Sequence, residues 1–221
     1  MGFARTLGDA IAPVVDFVYP PRCPACGEGI GAQGGLCLNC WDSLTLLSDP
    51  APGNGVLSSV VAATAYDEVS RQLVLAFKHG KRIALAPLLA GMIARNLPDD
   101  ADVMLVPVPL HRTRLWQRGF NQSALLAREL ARLGKGRLIV DGLLRTRRTP
   151  SLGGLGTEAR HAAVRNAISI NPRRADELQG RSTVLVDDVY TTGATASAAA
   201  LALRKAGARD VTLACFAKVL E

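Results

Sequence analysis

Residues Thr183 to Thr195 read TVLVDDVYTTGAT. Val184-Leu185-Val186 is a β-branched, apolar run of the kind that fills a central parallel strand. Two adjacent carboxylates, Asp187 and Asp188, follow at once, and Thr191, Thr192, Gly193, Ala194 and Thr195 then lead into a helical pattern. Ligands of open α/β sheets bind at the carboxyl ends of strands. Backbone N–H groups at a helix N-terminus attract phosphate, a glycine allows close approach, and threonine hydroxyls add donors. Two neighbouring carboxylates are costly to desolvate, and vicinal sugar hydroxyls with Mg²⁺ would offset them. The stretch therefore predicts a sugar 5-phosphate site, with phosphate in the loop and the ribose diol on the acids. The competing reading is that Asp and Thr merely cap the helix. The P-loop pattern GxxxxGK[ST] and the Rossmann glycine pattern are both absent.

Outward from this stretch, apolar runs alternate with helical patterns, as in an α/β domain. Strands are predicted at 60–66, 103–108, 138–140, 183–186 and 211–216, and helices at 69–78, 84–96, 122–133 and 194–206. Gly207 stops the last helix. Residues 48–58, SDPAPGNGVLS, read as a linker. They divide a module at 1–47 from a larger domain at 59–221. A polar stretch of arginines and turn residues fills 145–165, a length typical of lids or disordered loops. The first residues, MGFARTLGDAIAPVVDFVY, predict an amphipathic helix rather than an export signal. Their apolar run is short, contains Pro13 and is bracketed by Asp9 and Asp16.

The 1–47 module holds four of the five cysteines. Cys23-Pro-Ala-Cys26 and Cys37-Leu-Asn-Cys40 are two CxxC turns, and two such pairs complete a tetrahedral S₄ zinc site. Four protein ligands leave no open position, so the zinc is expected to be structural. Disulfides in a secreted domain are the alternative, which no export signal supports. Gly27 and Gly35 are expected to permit the turns, and Trp41 to pack over the cluster. Cys215 reads as a small core residue.

The chain of 221 residues carries 26 Lys and Arg against 19 acids, a charge of +7 that suits a phosphorylated small molecule or a nucleic acid. No apolar run approaches the roughly 20 residues of a membrane span, so the cytoplasm is the expected compartment. Arg112, Arg114 and Arg118 follow the 103–108 strand, and guanidinium forks there suit pyrophosphate oxygens. His111 and Lys78 are candidates to join them, and Asn121 is expected to cap the next helix. Arg145, Arg147, Arg148, Arg160 and Arg165 would serve either a lid or a nucleic-acid backbone. His79 and His161 lack partners at metal-ligand spacing and read as surface residues.

The segment TVLVDDVYTTGAT resembles the phosphoribosyl pyrophosphate (PRPP) motif of type I phosphoribosyltransferases. The resemblance implies that Asp187 and Asp188 contact ribose hydroxyls and that Thr191 through Thr195 cradle the 5-phosphate. The family's purine-salvage members have an Asp base where Thr191 stands, which disfavours that activity here. Phe77-Lys78-His79-Gly80, Pro107 to Arg112, Arg118-Gly-Phe-Asn-Gln122 and the PRPP-like segment also occur in the order seen in ComF-type proteins. These combine a zinc module with a phosphoribosyltransferase-like domain and are associated with single-stranded DNA uptake. Two functions follow from the resemblance. One is Mg²⁺-dependent phosphoribosyl transfer from PRPP to an unknown acceptor, with Asp187, Asp188 and Arg112 as catalytic residues. The other is non-catalytic binding of single-stranded DNA or of competence-machinery proteins.

Overall fold

A computed structural model describes residues 20–79, 82–147 and 166–220. The expected N-terminal helix, Gly80, Arg148, Arg160, His161 and Arg165 lie outside the described residues.

Six strands form one sheet: β1 (Ala51–Pro52), β2 (Ser59–Ala65), β3 (Met104–Pro107), β4 (Arg137–Leu138), β7 (Ser182–Tyr190) and β8 (Asp210–Lys218), in the spatial order β1-β2-β8-β7-β3-β4. Every pairing is parallel except that of β1 with β2. A separate antiparallel pair joins β5 (Leu143–Arg145) to β6 (Ile168–Ile170). The helices are α1 (Leu38–Asp42), α2 (Glu68–Lys78), α3 (Ala86–Ala94), α4 (Arg112–Arg118), α5 (Gln122–Arg132), α6 (Ala175–Leu178) and α7 (Ala194–Lys205).

The expected α/β class is what the chain forms, and all five predicted strands are present. Central strands must bury both faces, so they are apolar without alternation: β2 is buried from Val60 through Ala65. Side chains still point alternately up and down. Val61, Leu105, Val186 and Phe216 belong to a core with Phe77 of α2, Ile93 of α3 and Leu126 of α5. Val60, Val106, Leu185 and Cys215 belong to a second core with Ala199, Ala200 and Leu203 of α7. Cys215 is fully buried, as expected.

The strand order fixes where a ligand crevice lies. From β3 the chain passes through α5 to β4 on one side, and from β7 it passes through α7 to β8 on the other. Loops leaving two neighbouring strands in opposite directions open a gap at their carboxyl ends. That gap, between β3 and β7, receives the His111–Arg118 segment from one side and the Thr191–Thr195 loop from the other.

The stretch 48–58, read as a linker, lies against the large domain. Ala51 and Pro52 pair with β2, and Leu57 is only 2% exposed. The Asn54 amide donates to Ser197 Oγ at 2.8 Å, and Arg204 Nη2 donates to Ser58 Oγ at 2.9 Å. Leu47 N–H donates to the Ala63 carbonyl at 3.0 Å and Ala65 N–H to the Thr45 carbonyl at 2.8 Å, so the end of the cysteine module is hydrogen-bonded along β2. Among the described residues no helix is long and apolar enough to cross a membrane.

Candidate functional site

Two sites emerge, one closed and one open. In the first, the Sγ atoms of Cys23, Cys26, Cys37 and Cys40 all lie within 4.8 Å of one another. Cys26 and Cys37 Sγ are 3.6 Å apart. Tetrahedral zinc with Zn–S near 2.3 Å sets its sulfurs about 3.8 Å apart, so the cluster fits the ion. Burial raises the Cys23 pKa, but N–H donors from Cys26, Cys37 and Ala25 outweigh it and bring the thiol down to about 6. That favours a thiolate at Cys23, whereas burial and the neighbouring sulfurs raise the Cys40 pKa, so a bound metal has to displace that proton. The turns use Gly27 at φ 84° and Gly34 at φ 79°, not Gly35. Ile30, Leu36 and Val69 cover the cluster, while Trp41 stays 36% exposed.

The second site lies at the crevice. Strand β3 ends at Pro107, opposite Val186, whereas β7 continues to Tyr190 along β8 alone. Asp187 and Asp188 therefore sit inside β7, on the length whose β3 edge is open. Asp187 Oδ1 accepts from Ser123 Oγ at 3.0 Å and from the Asp188 amide at 2.9 Å. Ser123 is held in place by the Asn121 cap of α5, and the Asn121 amide also donates to the Val108 carbonyl at 3.0 Å. Burial first, and then the Asp188 charge, push the Asp187 pKa from 3.8 up to about 7. Its nearby positive charge, from Lys78, does not cancel these effects.

Asp188 faces a cation. Its Oδ2 is 2.9 Å from Lys78 Nζ, with side-chain exposures of 4% and 23%. Lys78 ends α2, anchored by the fully buried Phe77, which brings this candidate phosphate-binding lysine to the acid pair.

Beyond Tyr190 the chain turns through Thr191 and Thr192 into Gly193 at φ 72°, the left-handed residue that starts α7. A Cβ there would come within 2.6 Å of Tyr190 Oη. No side chain caps α7. That argues against capping as the purpose of TTGAT and leaves first-turn amides, with Ala194 and Thr195, for an anion.

Helix α4 presents Arg114 and Arg118 to this crevice. Desolvation lowers the Arg118 pKa, the Asp188 charge raises it and Arg114 lowers it, which places all three in one field. Arg118 Nη1 also donates to Gln122 Oε1 at 2.6 Å. Arg112 is exposed and, two residues before Arg114, lies on the opposite side of α4. His111 caps α4, its Nδ1 accepting from the Thr113 amide at 3.3 Å. In the sequence Arg145 belongs to the long polar stretch. The structure brings it to the crevice, where burial first and Arg114 second lower its pKa while Asp187 raises it.

The crevice and the cysteine cluster together define a class: a mostly parallel α/β domain with a threonine- and glycine-rich loop after a central strand, joined to a zinc ribbon. Residues 14–51 match the family model for a double zinc ribbon domain, although this chain supplies cysteines for a single S₄ site. The DNA utilization protein YhgH of Escherichia coli O157:H7 is 31% identical over 208 residues, spanning 90% of this chain and 84% of that one. Competence protein F of Haemophilus influenzae is 28% identical, over 86% of this chain and 82% of that one. Competence protein ComFC of Bacillus subtilis is 27% identical, over 84% and 72%. The chain belongs to this ComF family. Among solved structures, the glutamine PRPP amidotransferase of B. subtilis, complexed with ADP and GMP, aligns at 22% identity. That match covers 58% of this chain and 25% of the other at a TM-score of 0.39, too distant to bear on the reading.

Proposed function

We propose that the crevice binds Mg-PRPP or a related ribose 5-phosphate and transfers the phosphoribosyl group to an acceptor. The observation that carries this reading is an under-compensated acid pair near the end of β7, followed within a few residues by an uncapped helix start. The 5-phosphate takes the Thr191–Thr195 amides and hydroxyls. The ribose hydroxyls take Asp187 and Asp188, whose raised Asp187 pKa marks a site short of positive charge. Mg²⁺, bound with the donor, would supply that charge and neutralise pyrophosphate. Arg114 and Arg118 face the leaving group, and Lys78 turns from Asp188 towards phosphate when the ligand enters. The C1–O bond breaks with its electron pair going to pyrophosphate, and the acceptor nitrogen bonds to C1 and loses its proton to solvent. Orientation and charge stabilisation would provide most of the rate. Release of pyrophosphate from PRPP during a screen of nitrogen acceptors tests the transfer. Absence of Mg-PRPP binding in calorimetry would remove it.

A second reading is supported by the relatives' names, which concern DNA utilization and competence, and by the charge of +7. In it the protein handles single-stranded DNA, alone or with competence-machinery proteins. It predicts oligonucleotide binding that weakens steeply with salt.

A further inference from the structure

Helix α4 has two working sides. At 3.6 residues per turn Arg114 and Arg118 share one side, and Arg112 and Trp116 share the other. On the inner side, Arg118 lies in the field of Asp188 and of Arg114. The outer side serves no packing role: no residue of α4 is buried, and Trp116 is 88% exposed. An indole so placed leaves most of its apolar area in water, which is uncommon for a tryptophan. Trp116, Arg112, Thr113 and Gln117 line an open cavity of about 530 Å³. Among the described residues that line it there is one guanidinium and no carboxylate.

We propose that this outer face is a nucleobase platform, on which an unstacked base of a single-stranded nucleic acid lies against Trp116 while an adjacent phosphate meets Arg112. The inference rests on the second reading above and gives it a site. An aromatic face beside a cation is the pairing that single-strand binders use, because every base has a π-face and every linkage a charge. Thr113 and Gln117 flank the indole with hydrogen-bonding groups for a base edge. A duplex keeps its bases stacked and offers no free face to an indole, so the occupant is single-stranded. Charge complementarity favours it over a protein partner, since the described lining residues present a positive charge and no negative one. Low overall aromatic content, 5% of the chain, makes one exposed tryptophan in this position the more telling. The platform adjoins the crevice through a single helix, so strand and sugar phosphate would be held on opposite sides of α4.

The test uses the full-length, zinc-loaded protein and a short fluorescein-labelled oligothymidylate, read by anisotropy at low salt. Trp116→Ala is expected to weaken binding about tenfold, and Trp116→Phe to keep it within about threefold of the parent. Arg112→Ala is expected to reduce the slope of log affinity against log salt by about one. Mg-PRPP affinity measured in parallel should be the same for the parent and Trp116→Ala, which also reports an intact fold. If the parent binds no oligonucleotide, the second reading and the platform fall together. If the parent binds but Trp116→Ala binds equally well, or an unlabelled duplex competes as well as a single strand, the platform alone is overturned.

Discussion

The cysteine cluster and the acid pair are opposite kinds of site. Four thiols face one another within 4.8 Å, close enough for one ion to satisfy them all and leave no position for a substrate. The two carboxylates are adjacent in a strand, and their compensation is partial: Lys78 reaches Asp188, while Asp187 is left with a pKa near 7. The first arrangement is complete once loaded and stabilises the fold. The second carries an electrostatic deficit that a ligand can remove. Unfilled compensation, rather than charge as such, distinguishes a binding site from a structural one here.

Breaking the closed site should have the largest effect. Structural zinc contributes roughly 10–16 kcal/mol of coupled folding free energy in small metal domains. Cys23→Ser should abolish zinc stoichiometry and expose residues 20–47 to limited proteolysis. The parallel sheet should remain largely protected, because most residues of its two apolar cores lie outside the cysteine module, which contributes Leu44 to one and packs Ala25, Leu36 and Leu47 against them.

Lys78→Met probes the partial compensation at the open site. It leaves Asp188 buried without its counter-charge, and we expect a loss of about 1–3 kcal/mol in urea unfolding. Adding Asp188→Asn should recover most of it, a coupling that a double-mutant cycle measures. If the double variant is no more stable than Lys78→Met, the ion pair is not what holds this end of α2.

Gly193→Ala forces a Cβ onto Tyr190 at a left-handed φ of 72°. A cost of about 1–3 kcal/mol is expected, accompanied by weaker phosphate affinity because the loop must shift.

The smallest effect concerns pH. Asp187 holds its proton more tightly folded than unfolded, since its pKa rises from 3.8 to about 7 through burial and Asp188. Its contribution to unliganded stability therefore falls as pH rises from about 4 through 7. Ligand affinity should move the opposite way, strengthening through pH 7 as the carboxylate ionises, and Asp187→Asn should flatten both trends. Parallel unfolding and binding titrations at pH 5.5 and 8 would reveal whether the slopes have opposite sign.

Much of this was legible in the chain. The buried strands announce themselves as uninterrupted β-branched runs, and the CxxC spacing announces the cluster. Helix α4 did not, because a helix with no buried residue has no apolar periodicity to read. The β5–β6 pair escaped for another reason: each strand has three residues, too few to show alternation. Asp187 and Asp188 could be singled out by type, but their partners could not. Ser123 and Lys78 are 64 and 110 positions away from the acids they meet, and only the fold brings them there. Arg145 was hidden among neighbouring arginines of the same composition. The cap that His111 forms on α4 was not legible either, because the helix itself was not.

The central claim is that Asp187 and Asp188 form half of a sugar-phosphate grip. Calorimetric titration of Mg-PRPP into the parent protein and into the Asp187→Asn, Asp188→Asn double variant at pH 8 tests it most directly. The account predicts saturable binding by the parent and none by the variant, with the variant's thermal unfolding still cooperative. Equal affinity in the two proteins would contradict it.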